Sequence, residues 1–165
     1  MNRLKALFAS ASLLVGLLAG VPGAQAAVDT IYVGDAAHVS GGSCLDPDFS
    51  SSGGFEPAME AALAAIDADG DTLVICNGEY TVSSVIDYDQ AYAFTVRAET
   101  RRAVTIGGSA AFMFGCAPTL TVRGLRFHDM EEGFSCDGAM NLNLEDIEFS
   151  YGGTLAWMLG GEGFT

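Results

Sequence analysis

Two stretches of this chain, LTVRGLRFHD at 120–129 and LNLEDIEFSY at 142–151, carry one pattern written 22 residues apart. Leu120 falls on Leu142, Val122 on Leu144, Leu125 on Ile147 and Phe127 on Phe149, with the polar positions between them also in phase. Alternation of apolar and polar residues is the mark of a strand with one buried face. A strand of this length cannot hide that face alone, so a pattern that returns in register requires successive copies to stack and share a core.

The strand-like segments fall into sets of three. Leu120–Val122, Leu125–Phe127 and Phe134–Cys136 form one set, and Leu142–Leu144, Ile147–Phe149 and Leu155–Met158 form the next. Phe94–Val96, Val104–Ile106 and Phe112–Phe114 form an earlier set, while Leu73–Ile75, Tyr80–Val82 and Val85–Ile86 form the first and least regular. About four coils of roughly 20 to 26 residues therefore account for residues 72–165. Ahead of them, Phe55, Met59, Leu63 and Ile66 recur at helical spacing, which predicts an amphipathic helix of about three turns. Pro57 suits its first turn, and Gly70 suits a left-handed stop just past its end. The expected fold is all-β, a right-handed parallel β-helix with an N-terminal capping α-helix; residues 27–71 supply a strand, a loop and that helix. A β-sandwich is the competitor, favoured by the hairpin-like dipeptides Asn77-Gly78 and Asp137-Gly138. It gives no reason for a 22-residue phase.

Stacking has chemical consequences. Equivalent residues on adjacent coils lie about 4.8 Å apart, so Arg123 is expected over Glu145 and Arg126 over Glu148 as inter-coil ion pairs. His128 is expected over Ser150, without a positioned catalytic partner. Cysteines 44, 76, 116 and 136 are even in number, and none forms a Cys-x-x-Cys pair, so disulfides are expected before metal binding. Cys116 and Cys136 occupy the third strand of adjacent coils, within reach of one another. That leaves Cys44 for Cys76, a link that would fasten the helix over the end of the stack.

Residues 1–26 have the form of a secretory signal peptide: Arg3 and Lys5 precede an apolar run, which ends in Gly23-Ala24-Gln25-Ala26. The run from Ala6 to Val21 is short of the about 20 residues needed to span a bilayer. The remainder, residues 27–165, is one domain in size. Two of the seven basic residues and none of the 21 acidic ones lie in the first 26, so the rest holds 5 against 21, a formal charge of −16. Nucleic acid and anionic membrane are not expected as partners, because such a field repels them and counterion release needs clustered Lys and Arg. The chain is expected outside the cell or at its surface, with no membrane span after signal cleavage.

TIYVGD at 30–35, CLDPDF at 44–49, FEPAMEAALAAI at 55–66 and DGDTLVICNGEY at 69–80 resemble the N-terminal portion of secreted right-handed parallel β-helix proteins of the pectin-lyase-like superfamily. The shared features are a short strand, a capping helix, the turn Gly70-Asp71-Thr72 and then Gly78-Glu79-Tyr80. The resemblance implies the fold. It does not imply one activity, since that superfamily includes polysaccharide lyases, glycoside hydrolases, esterases, adhesins and surface proteins. No catalytic set of its lyases or hydrolases can be matched residue by residue. Asp67, Asp69 and Asp71 alternate as a calcium loop begins, but its glycine stands at the fourth place, Gly70, instead of the sixth, and Gly78 stands at the twelfth, where a bidentate glutamate is required. A helix stop and tight turn accounts for the same run. Asp129, Glu131 and Glu132 read as a solvated turn, and Asp129 falls over Tyr151. The expected function is a secreted, non-catalytic module for contact with glycans or cell surfaces, with no cofactor. Two alternatives stand beside it: a pectate-lyase-like lyase or glycoside hydrolase, or a remnant of one; and a structural or adhesion subunit that assembles end to end. The run YGGTLAWMLGGEGFT offers no cap for the last coil, so a truncated β-helix or a covering partner is expected there.

Overall fold

The computed structural model describes residues 27–37, 39–130, 132–136, 140–150 and 154–158, the last of these and residue 114 by backbone alone. The signal-peptide reading, Glu131, Asp137-Gly138, Tyr151 and residues 159–165 lie outside the described residues.

The chain is a solenoid of parallel strands with one short helix on its N-terminal side. Strands β1 (Thr30–Gly34) and β2 (Phe49–Ser50) and helix α1 (Phe55–Ala64) precede four sets of three strands. These are β3 (Thr72–Ile75), β4 (Gly78–Val82) and β5 (Asp87–Asp89); β6 (Phe94–Ala98), β7 (Val104–Gly108) and β8 (Met113–Cys116); β9 (Thr119–Arg123), β10 (Leu125–His128) and β11 (Glu132–Cys136); and β12 (Asn141–Glu145), β13 (Glu148–Ser150) and β14 (Thr154–Met158). Each set contributes one strand to each of three sheets, ordered β12-β9-β6-β3-β1-β2, β13-β10-β7-β4 and β14-β11-β8-β5. The path from β3 to β12 makes three full turns.

Every strand pair is parallel, including those on either side of Asn77-Gly78, so the sandwich alternative is excluded. Asn77 instead ties two coils at a corner: its Oδ1 accepts from the Thr100 N–H at 3.1 Å, and its Nδ2 donates to Thr100 Oγ1 at 3.1 Å. The expected register holds, with Leu120 opposite Leu142, Val122 opposite Leu144 and Phe127 opposite Phe149.

Inward side chains form continuous columns. Ile31, Leu73, Val96, Val122 and Leu144 make one, and Tyr80, Ile106, Phe127 and Phe149 another. Aromatic rings link the columns: Phe112 lies 5.2 Å from Phe127 and 5.7 Å from Phe134, centroid to centroid, and Phe55 of α1 stacks on Tyr80 at 4.4 Å. Helix α1 thus closes the core at its N-terminal end by burying Phe55, Met59 and Leu63. Full burial of side chains of this size contributes about 1.5–3 kcal/mol each. Two polar contacts fix its ends. Glu56 accepts the Ser83 N–H at 2.7 Å, and Gln90 Nε2 donates to the Leu63 carbonyl at 2.6 Å. Among the described residues no helix is long and apolar enough to cross a membrane.

Most strand ends differ from the sequence reading by one or two residues, with Ile147 falling just outside β13, and three shifts change which residue shapes a turn. The helix stops at Ala64, so Gly70, at φ 99°, shapes the turn into β3 instead of the helix end. The third strand of the first coil is Asp87–Asp89 and not Val85–Ile86: Ile86 is buried ahead of the strand, while Val85 is exposed. Likewise Phe112 is buried just before β8, which runs from Met113 to Cys116. Phe112 nevertheless donates its N–H to the Glu132 carbonyl of the next coil at 3.0 Å.

Candidate functional site

The outer face of the six-stranded sheet carries two parallel columns of side chains. One is Thr30, Thr72, Thr95, Thr121 and Asn143, a polar residue on each successive strand from β1 to β12. Strand spacing puts neighbouring members about 4.8 Å apart. Asn143 Nδ2 donates to Thr121 Oγ1 at 3.3 Å, which ties two coils within the column. Two residues further along each strand stands the second column, Tyr32, Val74, Arg97, Arg123 and Glu145. Arg97 and Arg123 are therefore adjacent rungs of one ladder, two like charges side by side. Such a pair is unfavourable unless an anion lies between or beside its members.

The second column leads into a corner where the register changes. Between β6 and β9 equivalent residues are 26 apart, as in Arg97 and Arg123. Between β7 and β10 the offset is 21, as in Val104 and Leu125. The second coil therefore holds five extra residues, 99–103, and extrudes them over its neighbour. The Arg102 N–H donates to the Gly124 carbonyl at 2.7 Å, which lays this loop across the third coil. Gly124 accepts that position because its φ is 72°, the left-handed region that glycine enters without steric cost. From there Arg101 and Arg102 reach the fourth coil. Arg101 holds Asp146 through both Nε and Nη2, the latter at 2.8 Å, and Arg102 Nη2 lies 2.6 Å from Asp146 Oδ1. The hydrogen bond from Arg101, then that from Arg102, holds the Asp146 carboxyl down at about 2.

The result is an open cleft of about 510 Å³ lined by Arg97, Ala98, Arg101, Arg123, Gly124, Glu145 and Asp146. All five arginines of residues 27–165 lie between positions 97 and 126, on a chain otherwise dominated by carboxylates. Arg123 pairs with Glu145 at 2.8 Å and, on the neighbouring sheet, Arg126 pairs with Glu148 at 3.0 Å. These two contacts are the inter-coil pairs that the 22-residue register implies. Arg97 differs: its Nη1 donates to the Ala98 carbonyl at 3.1 Å, and no carboxylate among the described residues pairs with it. Glu99, the next outward residue, is turned toward the preceding coil, where it accepts the Asn77 N–H at 3.2 Å.

The other residues singled out in the sequence are placed elsewhere. The structure joins Cys116 to Cys136 and Cys44 to Cys76, with Cα separations of 5.2 and 5.4 Å. His128 Nδ1 lies 2.9 Å from Asp129 Oδ2, in a turn where Asp129 has φ 54°. Asp67, Asp69 and Asp71 do not converge on one point. Asp71 is fully buried and accepts backbone N–H groups from Asp29, Asp67 and Ala68 at 2.8–3.1 Å. Asp69 accepts from the Ala93 N–H at 2.8 Å. Among the described residues, the one set of three side chains close enough for a shared ion is Cys44, Cys76 and Glu99, whose two sulfurs are already bonded to each other.

Sequence reasoning missed Arg97, Arg101, Arg102, Asp146 and the threonine column. The signal was present as Thr-Val-Arg, at 95–97 and again at 121–123, followed by Asn-Leu-Glu at 143–145. Its 26-residue offset is masked by the better-matched 22-residue repeat.

Compared with models of protein families, with curated proteins and with solved structures, the chain has no match.

Proposed function

We propose that this chain is a secreted, non-catalytic parallel β-helix module whose broad outer face contacts glycans or cell surfaces. The observation that carries the reading is the column of hydroxyls beside the Arg97–Arg123 step. Hydroxyls at regular strand spacing match the donors and acceptors of a sugar polymer laid across the coils, and a planar guanidinium beside them supplies forked donors. Export is supported by the form of residues 1–26 and by two disulfides, which persist in oxidising compartments. Membership of the pectin-lyase-like superfamily belongs to the same proposal and rests on the motifs around Gly70-Asp71-Thr72 and Gly78-Glu79-Tyr80.

The test is retention of the purified protein on a panel of immobilised neutral and acidic glycans, compared with a Thr95→Val, Thr121→Val double variant. Retention that the double variant loses supports the reading. No retention, or retention indifferent to the two hydroxyls, overturns it. One observation favours a lyase instead: Arg97, which pairs with no carboxylate among the described residues, shares an open cleft with Glu145 and Asp146. Release of unsaturated product from polygalacturonate, abolished by chelation of calcium, would establish that second reading.

A further inference from the structure

We infer that Asn77-Gly78 is a site of spontaneous deamidation that the loop 99–103 holds closed, so that the pair reacts only when that loop lifts.

The pair is chemically poised. Glycine carries no side chain to screen its backbone nitrogen, so the Gly78 nitrogen has open access to the side-chain carbon of Asn77. In the reaction that nitrogen gives up its proton and attacks Asn77 Cγ. A C–N bond forms, the Cγ–Nδ2 bond breaks, and the amide nitrogen leaves with the proton as ammonia. Water then opens the cyclic imide. Cleavage at the side-chain carbonyl gives aspartate, and cleavage at the backbone carbonyl gives isoaspartate. Asn77 is exposed, so water reaches it.

The loop stands in the way because it holds every reacting group. The Gly78 N–H donates to the Ala103 carbonyl at 3.1 Å, Asn77 Oδ1 accepts the Thr100 N–H at 3.1 Å, and Asn77 Nδ2 donates to Thr100 Oγ1 at 3.1 Å. Glu99 takes the Asn77 N–H at 3.2 Å. A nitrogen whose proton is bound to Ala103 is neither deprotonated nor turned toward Cγ. The loop is in turn tied down on its far side: the Arg102 N–H donates to the Gly124 carbonyl at 2.7 Å, and Arg101 and Arg102 both hold Asp146. Asp146, on the fourth coil, thereby protects an amide on the first.

Asp69-Gly70 supplies the contrast. It forms the same imide, with loss of water instead of ammonia, and it is locked in the same manner. The Gly70 N–H donates to the Ala93 carbonyl at 2.7 Å, and Asp69 Oδ1 accepts the Ala93 N–H at 2.8 Å. That lock lies just ahead of β6 and does not involve the loop 99–103. Conversion of Asn77 is kept once it happens. It removes the donor to Thr100, sets a carboxylate beside Glu99 and, as isoaspartate, adds a methylene to the backbone next to Cys76.

The test is incubation of the purified full chain at mildly alkaline pH. Peptide mapping follows the amide-to-acid mass shift at Asn77 and isoaspartate at both pairs. The folded parent should convert Asn77 roughly tenfold or more slowly than the same chain in urea, the margin expected from hydrogen bonds that must open together. Asp146→Ala, which frees the loop, should speed Asn77 by roughly twofold to fivefold, the range of an exposed ion pair. Arg101→Gln cuts the same tie from the loop side and should do likewise. Glu148→Gln breaks a neighbouring inter-coil pair without touching the loop and should stay at the parent rate, as should Asp69 in all three variants. Thermal melts show which variants fold, and the comparison of parent with urea needs none of them. Conversion in the folded parent as fast as in urea overturns the inference, as does an Asn77 rate in the folded loop-tie variants equal to that of the parent. The same proportional acceleration at Asn77 and Asp69 overturns it too, because general loosening of the stack would then set the rate.

Discussion

The capped end of the molecule and its arginine corner both use a carboxylate to pin a loop across coils, and they do so in opposite ways. At the cap, Asp71 is fully buried and its partners are three backbone N–H groups, from Asp29 just ahead of β1 and from Asp67 and Ala68 after α1. At the corner, Asp146 is partly exposed and its partners are two arginines on an extruded loop. A buried carboxylate is tolerable only when its hydrogen bonds are complete, so the cap is built from groups that fold into place together. Exposed ion pairs contribute little to stability because water competes for both partners. The difference assigns the two places different work: the cap holds the solenoid shut, and the corner ties an exposed loop to the coils beyond it.

Breaking the cap should therefore have the largest effect. Replacing Cys44 and Cys76 by serine releases a link between residues 32 apart, and the chain-entropy estimate for such a closure is about 3–4 kcal/mol. Asp71→Ala should follow closely, at about 2–3 kcal/mol, because it strands the N–H groups that the carboxylate satisfies. Urea unfolding of the two variants checks both figures. A midpoint within error of the parent for either would mean that α1 holds the end without its clasp.

A much smaller effect is expected from the ion pairs on the stack itself. Glu145→Gln or Glu148→Gln should change stability by about 0–1 kcal/mol, since both members of each pair are about half exposed. A loss as large as that for Asp71→Ala would show that the ladders of charge, and not the core columns, hold coil to coil.

These contrasts also explain what could be read from the sequence. The stack, its register and the cysteine pairs were legible because they follow from side chains that must meet: Leu120 on Leu142, Phe127 on Phe149, Arg123 on Glu145. The first coil was read less well. Its third strand, Asp87–Asp89, has one buried residue, Tyr88, between two exposed aspartates, so an apolar-run criterion settles on Val85–Ile86 instead. Apart from the Arg123–Glu145 pair, the corner was not legible. Its geometry comes from a five-residue difference between coils, and a repeat search treats such a difference as noise. Arg101 meets Asp146 at a separation of 45 residues because the loop bridges two coils, and no local spacing encodes that contact.

Salt should separate two carboxylates that acid alone treats alike. Asp46 and Asp146 are both held down at about 2, by different means. For Asp46 the cause is first the Ser40 hydroxyl and then backbone N–H groups of residues 39–41, with the Val39 N–H at 2.6 Å and the Ser40 N–H at 2.8 Å. For Asp146 it is the hydrogen bond from Arg101 and the charges of both arginines. Each group has a folded value below that of the unfolded chain, about 3.9. Its contribution is therefore complete above about pH 4 and is lost as pH falls through about 2. Neutral donors are indifferent to ionic strength, whereas attraction between exposed charges is screened, with a Debye length of about 3 Å at 1 M salt. Carboxyl NMR titrations at low salt and at 1 M should therefore show the Asp146 midpoint rising toward the ordinary range while the Asp46 midpoint stays near its low-salt position. Equal movement of the two would mean that the corner is held by fixed hydrogen-bond geometry, as the cap is, and not by the attraction of its charges.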